Sequence, residues 1–350
     1  MKFLKEEINN KKIIISISCV IILILSYIAI NYRELNAIYA IENKIYKETE
    51  NMSIVVGGEA AGIKLLATGV LVMGIDRNDT DIQVGDIILE VDGNKIETNL
   101  ELVDYAKKSN GKELKLEINR KDEIKEIKII PELDEISKEY KLGLWVKDSS
   151  AGVGTITFYE KNTGKFASLG HGVTETGENY ILPITTGAIT KTKIYSIKKG
   201  EVKLPGELKG SITSDIIGDI GLNTEKGVYG YIYDKSILEE KEQIQVLPKT
   251  KIKEGRAYIY CTLDDNEKNI YEIEIQKVIL NSTGNKNMII KITDEKLLEK
   301  TGGIVQGMSG SPIIQDGKLV GAVTHVFLND PTRGYGVFIE NMLDDMCTME

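Results

Sequence analysis

The sequence predicts a mainly β protein carried behind one N-terminal hydrophobic helix, and three observations support that expectation. Residues 13–30 run for eighteen positions without a charge. Beyond residue 53, short β-branched and aromatic runs alternate with Gly, Asn and Asp turns. The 350 residues, 42% hydrophobic and 28% charged, have globular composition and exceed one ordinary domain.

The uncharged run comes first in the chain. At helical rise it is about 27 Å long, close to a bilayer core of about 30 Å, so residues 13–30 are expected to form one transmembrane helix. Lys2, Lys5, Lys11 and Lys12 precede it, which sets residues 1–12 in the cytoplasm and the remainder outside it. A cleavable signal peptide is the competing reading, with Ile38-Tyr39-Ala40 as a weak cleavage pattern. Within residues 31–52, Leu35, Ile38, Ile41 and Ile45 recur at helical spacing, the pattern of an amphipathic linker. The three cysteines, Cys19, Cys261 and Cys347, form no CxxC pair and no disulfide framework. With two histidines far apart in sequence, no metal or organic cofactor is expected. A net charge of -9 argues against nucleic acid.

Residues 53–131 form a β-rich module with one helical stretch from Asn99 to Lys108. Gly85-Asp86-Ile87-Ile88 and Val91-Asp92-Gly93 resemble the corresponding segments of a PDZ domain. Such domains bind a peptide as an added strand and capture its terminal carboxylate on backbone N–H groups. Ala61, Gly62 and Ile63 are expected to form that carboxylate loop. Residues 132–141 are a charged linker, and residues 142–350 form a second domain of short strands, enough for two packed barrels or a large sandwich.

The chemistry is concentrated in Gly307-Met308-Ser309-Gly310-Ser311-Pro312. Glycines around the serine permit a sharp turn in which the N–H groups of Gly307 and Ser309 face a developing oxyanion. A serine hydroxyl needs a base, and only His171 and His325 are available. His171 lies between Gly170 and Gly172, in a tight bend suited to presenting an imidazole. His325 follows the hairpin after the serine, a position where related folds line the pocket for the substrate side chain.

Together these segments resemble the SpoIVB-type peptidases, the stage IV sporulation protein B group of endospore-forming bacteria. The resemblance is carried by residues 144–155, Leu169-Gly170-His171-Gly172, residues 302–314, Thr324-His325-Val326-Phe327 and Gly334-Tyr335-Gly336-Val337. It implies a chymotrypsin-like double β-barrel in which His171 is the base, Ser309 the nucleophile and Asp294 the orienting acid. Asp219 and Asp215 lie nearer the usual spacing for that acid and stand as alternatives.

The resemblance further implies a forespore peptidase acting in the space between two membranes. Its substrate would be the inhibitory regulator of an intramembrane metalloprotease, whose cleavage activates a late mother-cell sigma factor. It also implies self-cleavage between the span and the PDZ module, within residues 35–52, and a PDZ ligand that includes the chain itself. Two other readings share these features: an HtrA-like quality-control protease, whose PDZ follows the peptidase domain instead of preceding it, and a non-catalytic PDZ adaptor.

Overall fold

The computed structural model describes residues 52–174, 181–264 and 267–349. The expected membrane span at 13–30 lies outside the described residues, as does all of the linker but Met52; among the described residues no helix is long and apolar enough to cross a membrane.

The chain opens with β1 (Ser53–Val56) and the 16-residue β2 (Ala60–Ile75), followed by β3 (Ile87–Val91) and β4 (Asn94–Lys95). Helix α1 (Asn99–Lys108) comes next, then the hairpin of β5 (Leu114–Arg120) and β6 (Glu123–Ile129). A capping box starts α1: the Thr98 hydroxyl accepts the Glu101 N–H, and the Glu101 carboxylate accepts the Thr98 N–H. Its apolar residues Leu102 and Ala106 are buried against Ile88, Val91, Leu116 and Ile118. The short β7 (Glu132–Leu133) and β8 (Tyr140–Lys141) pair with each other across the charged linker.

A second long strand, β9 (Leu144–Tyr159), leads to β10 (Lys165–Ser168), β11 (Ile184–Lys198), β12 (Glu207–Thr224), β13 (Gly227–Ile232) and β14 (Gln243–Gln245). Successive antiparallel pairings of β2 with β9, β9 with β10, β10 with β13, β13 with β12, β12 with β11, and β11 with β2 return to their start. These six strands therefore close a barrel around Ile63, Leu65, Ile156, Phe166, Ile189 and Val228.

The remaining strands are β15 (Gly255–Thr262), β16 (Lys268–Val278), β17 (Met288–Ile292), β18 (Pro312–Gln315), β19 (Lys318–Phe327) and β20 (Asp330–Phe338). They close a second barrel in the order β15-β16-β17-β20-β19-β18. Alternation explains the inward set: Ala257, Ile259 and Cys261 of β15 are buried, while Tyr258 and Tyr260 between them are not. Helices α2 (Glu295–Thr301) and α3 (Ile339–Cys347) complete the described chain.

The expected boundaries at 53–131, 132–141 and 142–350 fall between strands, but strands of the first and last segments pair with each other in two sheets. Residues 60–66 of β2 pair with residues 149–155 of β9 and line the first barrel. Residues 71–75 of the same strand pair with 144–147 of β9 inside the PDZ-like sheet. Hydrophobic alternation marks both segments as strands but does not say which sheet each joins, because the partners are distant in sequence.

Candidate active site

The Ser309 turn lies between the second barrel and β9. Gly307 and Gly310 have φ of +96° and +92°, a region that residues with a Cβ rarely adopt. The turn is held from outside by two buried threonines on one face of β9. Thr155 Oγ1 donates to Gly307 O at 2.8 Å, and Thr157 Oγ1 donates to Gly310 O at 2.8 Å. The Thr155 N–H donates to Ser309 O at 3.0 Å, and the Gly310 N–H to Val323 O at 2.8 Å. The N–H groups of Gly307 and Ser309 have no acceptor among the described residues. Both donors are therefore available to a developing oxyanion.

His171 sits in a bend where Leu169 and Gly170 both have positive φ, +67° and +68°. A positive φ is costly for leucine, and Leu169 is kept there by burial of its side chain beside Gly154. The Gly172 N–H donates to Glu225 O, which also accepts from Asn285 Nδ2, so the far side of the bend is tied to both barrels. His171 Nδ1 lies 2.9 Å from Gly172 O. A carbonyl only accepts, so this contact assigns the proton to Nδ1 and leaves Nε2 with its lone pair. Burial lowers the His171 pKa, and the Gly172 carbonyl opposes that shift.

His171, Ser309 and His325 line one cavity of about 1350 Å³. The two imidazoles are 4.9 Å apart between centroids and tilted by 39°. Burial first, then His171 and Lys286, pushes the His325 pKa down to about 4. Its Nδ1 is buried without a hydrogen-bond partner among the described residues. The Ser309 hydroxyl donates to Thr324 O at 2.9 Å, a bond it gives up before it can donate to His171.

The expected acids stand elsewhere. Asp294 is the N-cap of α2: Oδ1 accepts the Leu297 N–H at 3.0 Å and Oδ2 the Glu272 N–H at 3.4 Å. Asp219 accepts from the Tyr233 hydroxyl, and Asp215 is exposed on β12. None of the three lines the cavity, and no carboxylate is hydrogen-bonded to His171 among the described residues. The group that fixes the histidine tautomer here is the Gly172 carbonyl, which a residue-type search does not reveal. The sequence did carry the signal for Asp294 as a cap, since Asp294-Glu295-Lys296 stands directly before Leu297 and Leu298. Replacing Asp294 by Asn keeps a capping side chain and is expected to hold kcat/KM within about tenfold of wild type, where loss of an orienting acid costs about 10⁴. Asp294→Ala is expected to lower stability by about 1 kcal/mol. Denaturant melts and peptide hydrolysis check both.

Ala61, Gly62 and Ile63 also differ from expectation. They are paired with Gly154, Val153 and Gly152 on one side and with Lys191, Thr190 and Ile189 on the other. A peptide adds only to a free edge, so these residues cannot form the carboxylate loop. The edge beside α1 belongs to residues 144–148 of β9, where Asn99 Nδ2 donates to Val146 O and the Asn99 N–H to Asp148.

The two half-buried histidines set the pH response. Both bind protons more weakly when folded than the ordinary histidine value of about 6.5. The unfolded chain therefore takes up more protons as pH falls through about 6.5, and stability is expected to drop below that pH. The acid limb of kcat/KM is expected below 6.5 as well, because His171 stays a free base there. An inflection above 7 in a pH–rate profile would contradict this assignment.

A family model for the SpoIVB peptidase S55 matches residues 138–343, and a PDZ domain model matches residues 40–130. Among solved structures, the PDZ domain of the SdrC-like protein (Lmo2051) from Listeria monocytogenes is 24% identical. That match covers 23% of this chain and 87% of the other, with a TM-score of 0.21. The active form of the Rv3671c protease from M. tuberculosis is 11% identical over 57% of this chain and 74% of its own, at a TM-score of 0.33. The HtrA-type protease AlgW with a decapeptide is 8% identical over 84% of this chain and 64% of its own, at 0.35.

Proposed function

Because the chain belongs to the SpoIVB peptidase S55 family and is a serine endopeptidase, we propose that it signals during sporulation by cleaving the inhibitory regulator of an intramembrane metalloprotease. One observation carries the chemistry: a serine, a histidine with a free Nε2 and two unpaired N–H donors meet at one cavity. His171 takes the Ser309 proton once the hydroxyl leaves Thr324 O, and Ser309 Oγ attacks the scissile carbonyl. The Gly307 and Ser309 N–H groups receive the oxyanion, and His171 then protonates the leaving amine. Water repeats the sequence on the acyl-enzyme. His325, neutral and beside the base, belongs to the pocket for the substrate residue.

In this reading residues 13–30 anchor the enzyme, the body from Ser53 onward works outside the cytoplasm, and self-cleavage falls within residues 35–52. A PDZ ligand, from the substrate or from the chain's own processed end, pairs with residues 144–148 of β9 beside α1. The order of modules, PDZ before peptidase, favours selective processing over general degradation. Incubating the full chain with the extracytoplasmic part of such a regulator is expected to give one or a few defined cuts. N-terminal sequencing of the enzyme is expected to place its new end within 35–52. Broad digestion of unfolded proteins, with the regulator left whole, would refute the proposal in favour of a quality-control protease.

A further inference from the structure

The hairpin of β11 and β12 has a composition unlike the rest of this acidic chain. Between residues 190 and 210 it carries Lys191, Lys193, Lys198, Lys199, Lys203 and Lys209 against two acids, Glu201 and Glu207, in a protein of net charge -9. All six lysines are exposed, and none makes an ion pair with a described residue. Three large apolar side chains share the same hairpin and face water: Tyr195 is 67% exposed, Val202 60% and Leu204 58%. Val202 and Leu204 flank Lys203 at the apex, where Glu201 and Leu204 exchange both backbone hydrogen bonds around the turn.

The apex is also held rigidly. The Gly200 N–H donates to Thr301 O at 2.8 Å, and the Lys203 N–H to Leu328 O at 2.6 Å. Gly206 O accepts the Gln306 N–H at 2.9 Å, and the Leu208 N–H donates to Gln306 O at 2.8 Å. Exposed apolar side chains on a fixed turn gain nothing from the solvent they face, and lysines around them supply a long-range attraction for negative charge. Gln306 immediately precedes Gly307, and Tyr195, Pro205 and Leu328 line the active cavity. Whatever the apex rests on therefore lies at the mouth of the cleft.

We propose that this apex docks on an anionic lipid surface, with Val202 and Leu204 entering the headgroup layer and Lys198, Lys199 and Lys203 meeting lipid phosphates. A lipid interface meets the lysines with phosphate and takes the apolar tip into its headgroup layer, and it asks for no matching pocket on a partner. Docking brings the cavity to the membrane surface and selects substrate segments close to a bilayer. The inference rests on the reading of this chain as a membrane-tethered peptidase and narrows its substrate class to membrane-proximal stretches.

The test uses the full chain reconstituted in vesicles, with Cys19→Ser, Cys347→Ser and Val202→Cys, labelled at position 202 with an environment-sensitive fluorophore. Cys261 is buried and takes no label. On phosphatidylcholine vesicles containing phosphatidylglycerol, the emission is expected to shift to the blue and to be quenched by doxyl lipid. Both changes are expected to be lost on phosphatidylcholine alone and in the Lys198→Glu, Lys199→Glu, Lys203→Glu variant, whose thermal melt should match wild type. A label that stays in water on both vesicle types overturns the proposal. So does a triple variant that instead raises KM for a soluble acidic peptide, the mark of a protein exosite. The label reports lipid contact whether or not the cavity cleaves, so its failure is distinguishable from failure of the peptidase reading.

Discussion

Ser309→Ala is expected to remove peptide hydrolysis by about 10⁴-fold or more and to abolish labelling by a fluorophosphonate, with the fold intact. The side chain makes a single hydrogen bond, to Thr324 O, so its loss costs about 1 kcal/mol of stability. His171→Ala is expected to fall as far, because nucleophile and base act as a unit and the second loss adds little to the first. His325→Ala is expected to change substrate preference instead, since its ring packs beside that of His171 but makes no hydrogen bond to the Gly172 carbonyl or the serine among the described residues. If His325→Ala abolished labelling while His171→Ala preserved it, the two histidines would have to exchange roles.

The second large effect is structural. A methyl group at Gly310 would lie 2.1 Å from Thr155 O and 2.5 Å from the Leu169 N, and the residue's φ of +92° disfavours any side chain. The contacts are backbone on both sides, so neither can swing away. Gly310→Ala is expected to cost about 3–5 kcal/mol and to lower activity well beyond what instability explains. It forces the serine turn away from β9 and from the histidine bend at the same time, because both pack against that one position. A melt by circular dichroism, together with probe labelling at a temperature where the variant is folded, separates the two contributions. A variant with wild-type stability and labelling would mean that the turn is looser than this packing requires.

The turns that carry Ser309 and His171 to one cavity were legible in the sequence because glycine encodes their conformations locally. Gly-Met-Ser-Gly and Gly-His-Gly specify turns at short range, whatever the rest of the chain does. The two-barrel architecture was legible only as abundant short strands; closure depends on pairings between residues far apart in sequence, such as Gly62 with Val153. The third member of the site was not legible. Family analogy and spacing drew attention to carboxylates, whereas the contact at His171 comes from the main chain of its own neighbour. The same limitation misplaced the carboxylate loop: Ala61, Gly62 and Ile63 have suitable residues for a loop, but both edges of their strand are taken. A clue to the true support of the nucleophile lay in Thr155 and Thr157, two polar residues at alternate positions of an otherwise apolar run.

Strand β9 serves as a ruler. Residues 144–147 are registered against β2 in one sheet, and Thr155 and Thr157 reach the nucleophile turn from the other end of the same backbone. Side chains alternate faces along a strand, so one residue inserted or deleted between those ends would turn both threonine hydroxyls away from Gly307 and Gly310. The PDZ module and the peptidase can therefore diverge in sequence but not in spacing, and a chimera joined within this stretch would have to preserve its length to the residue.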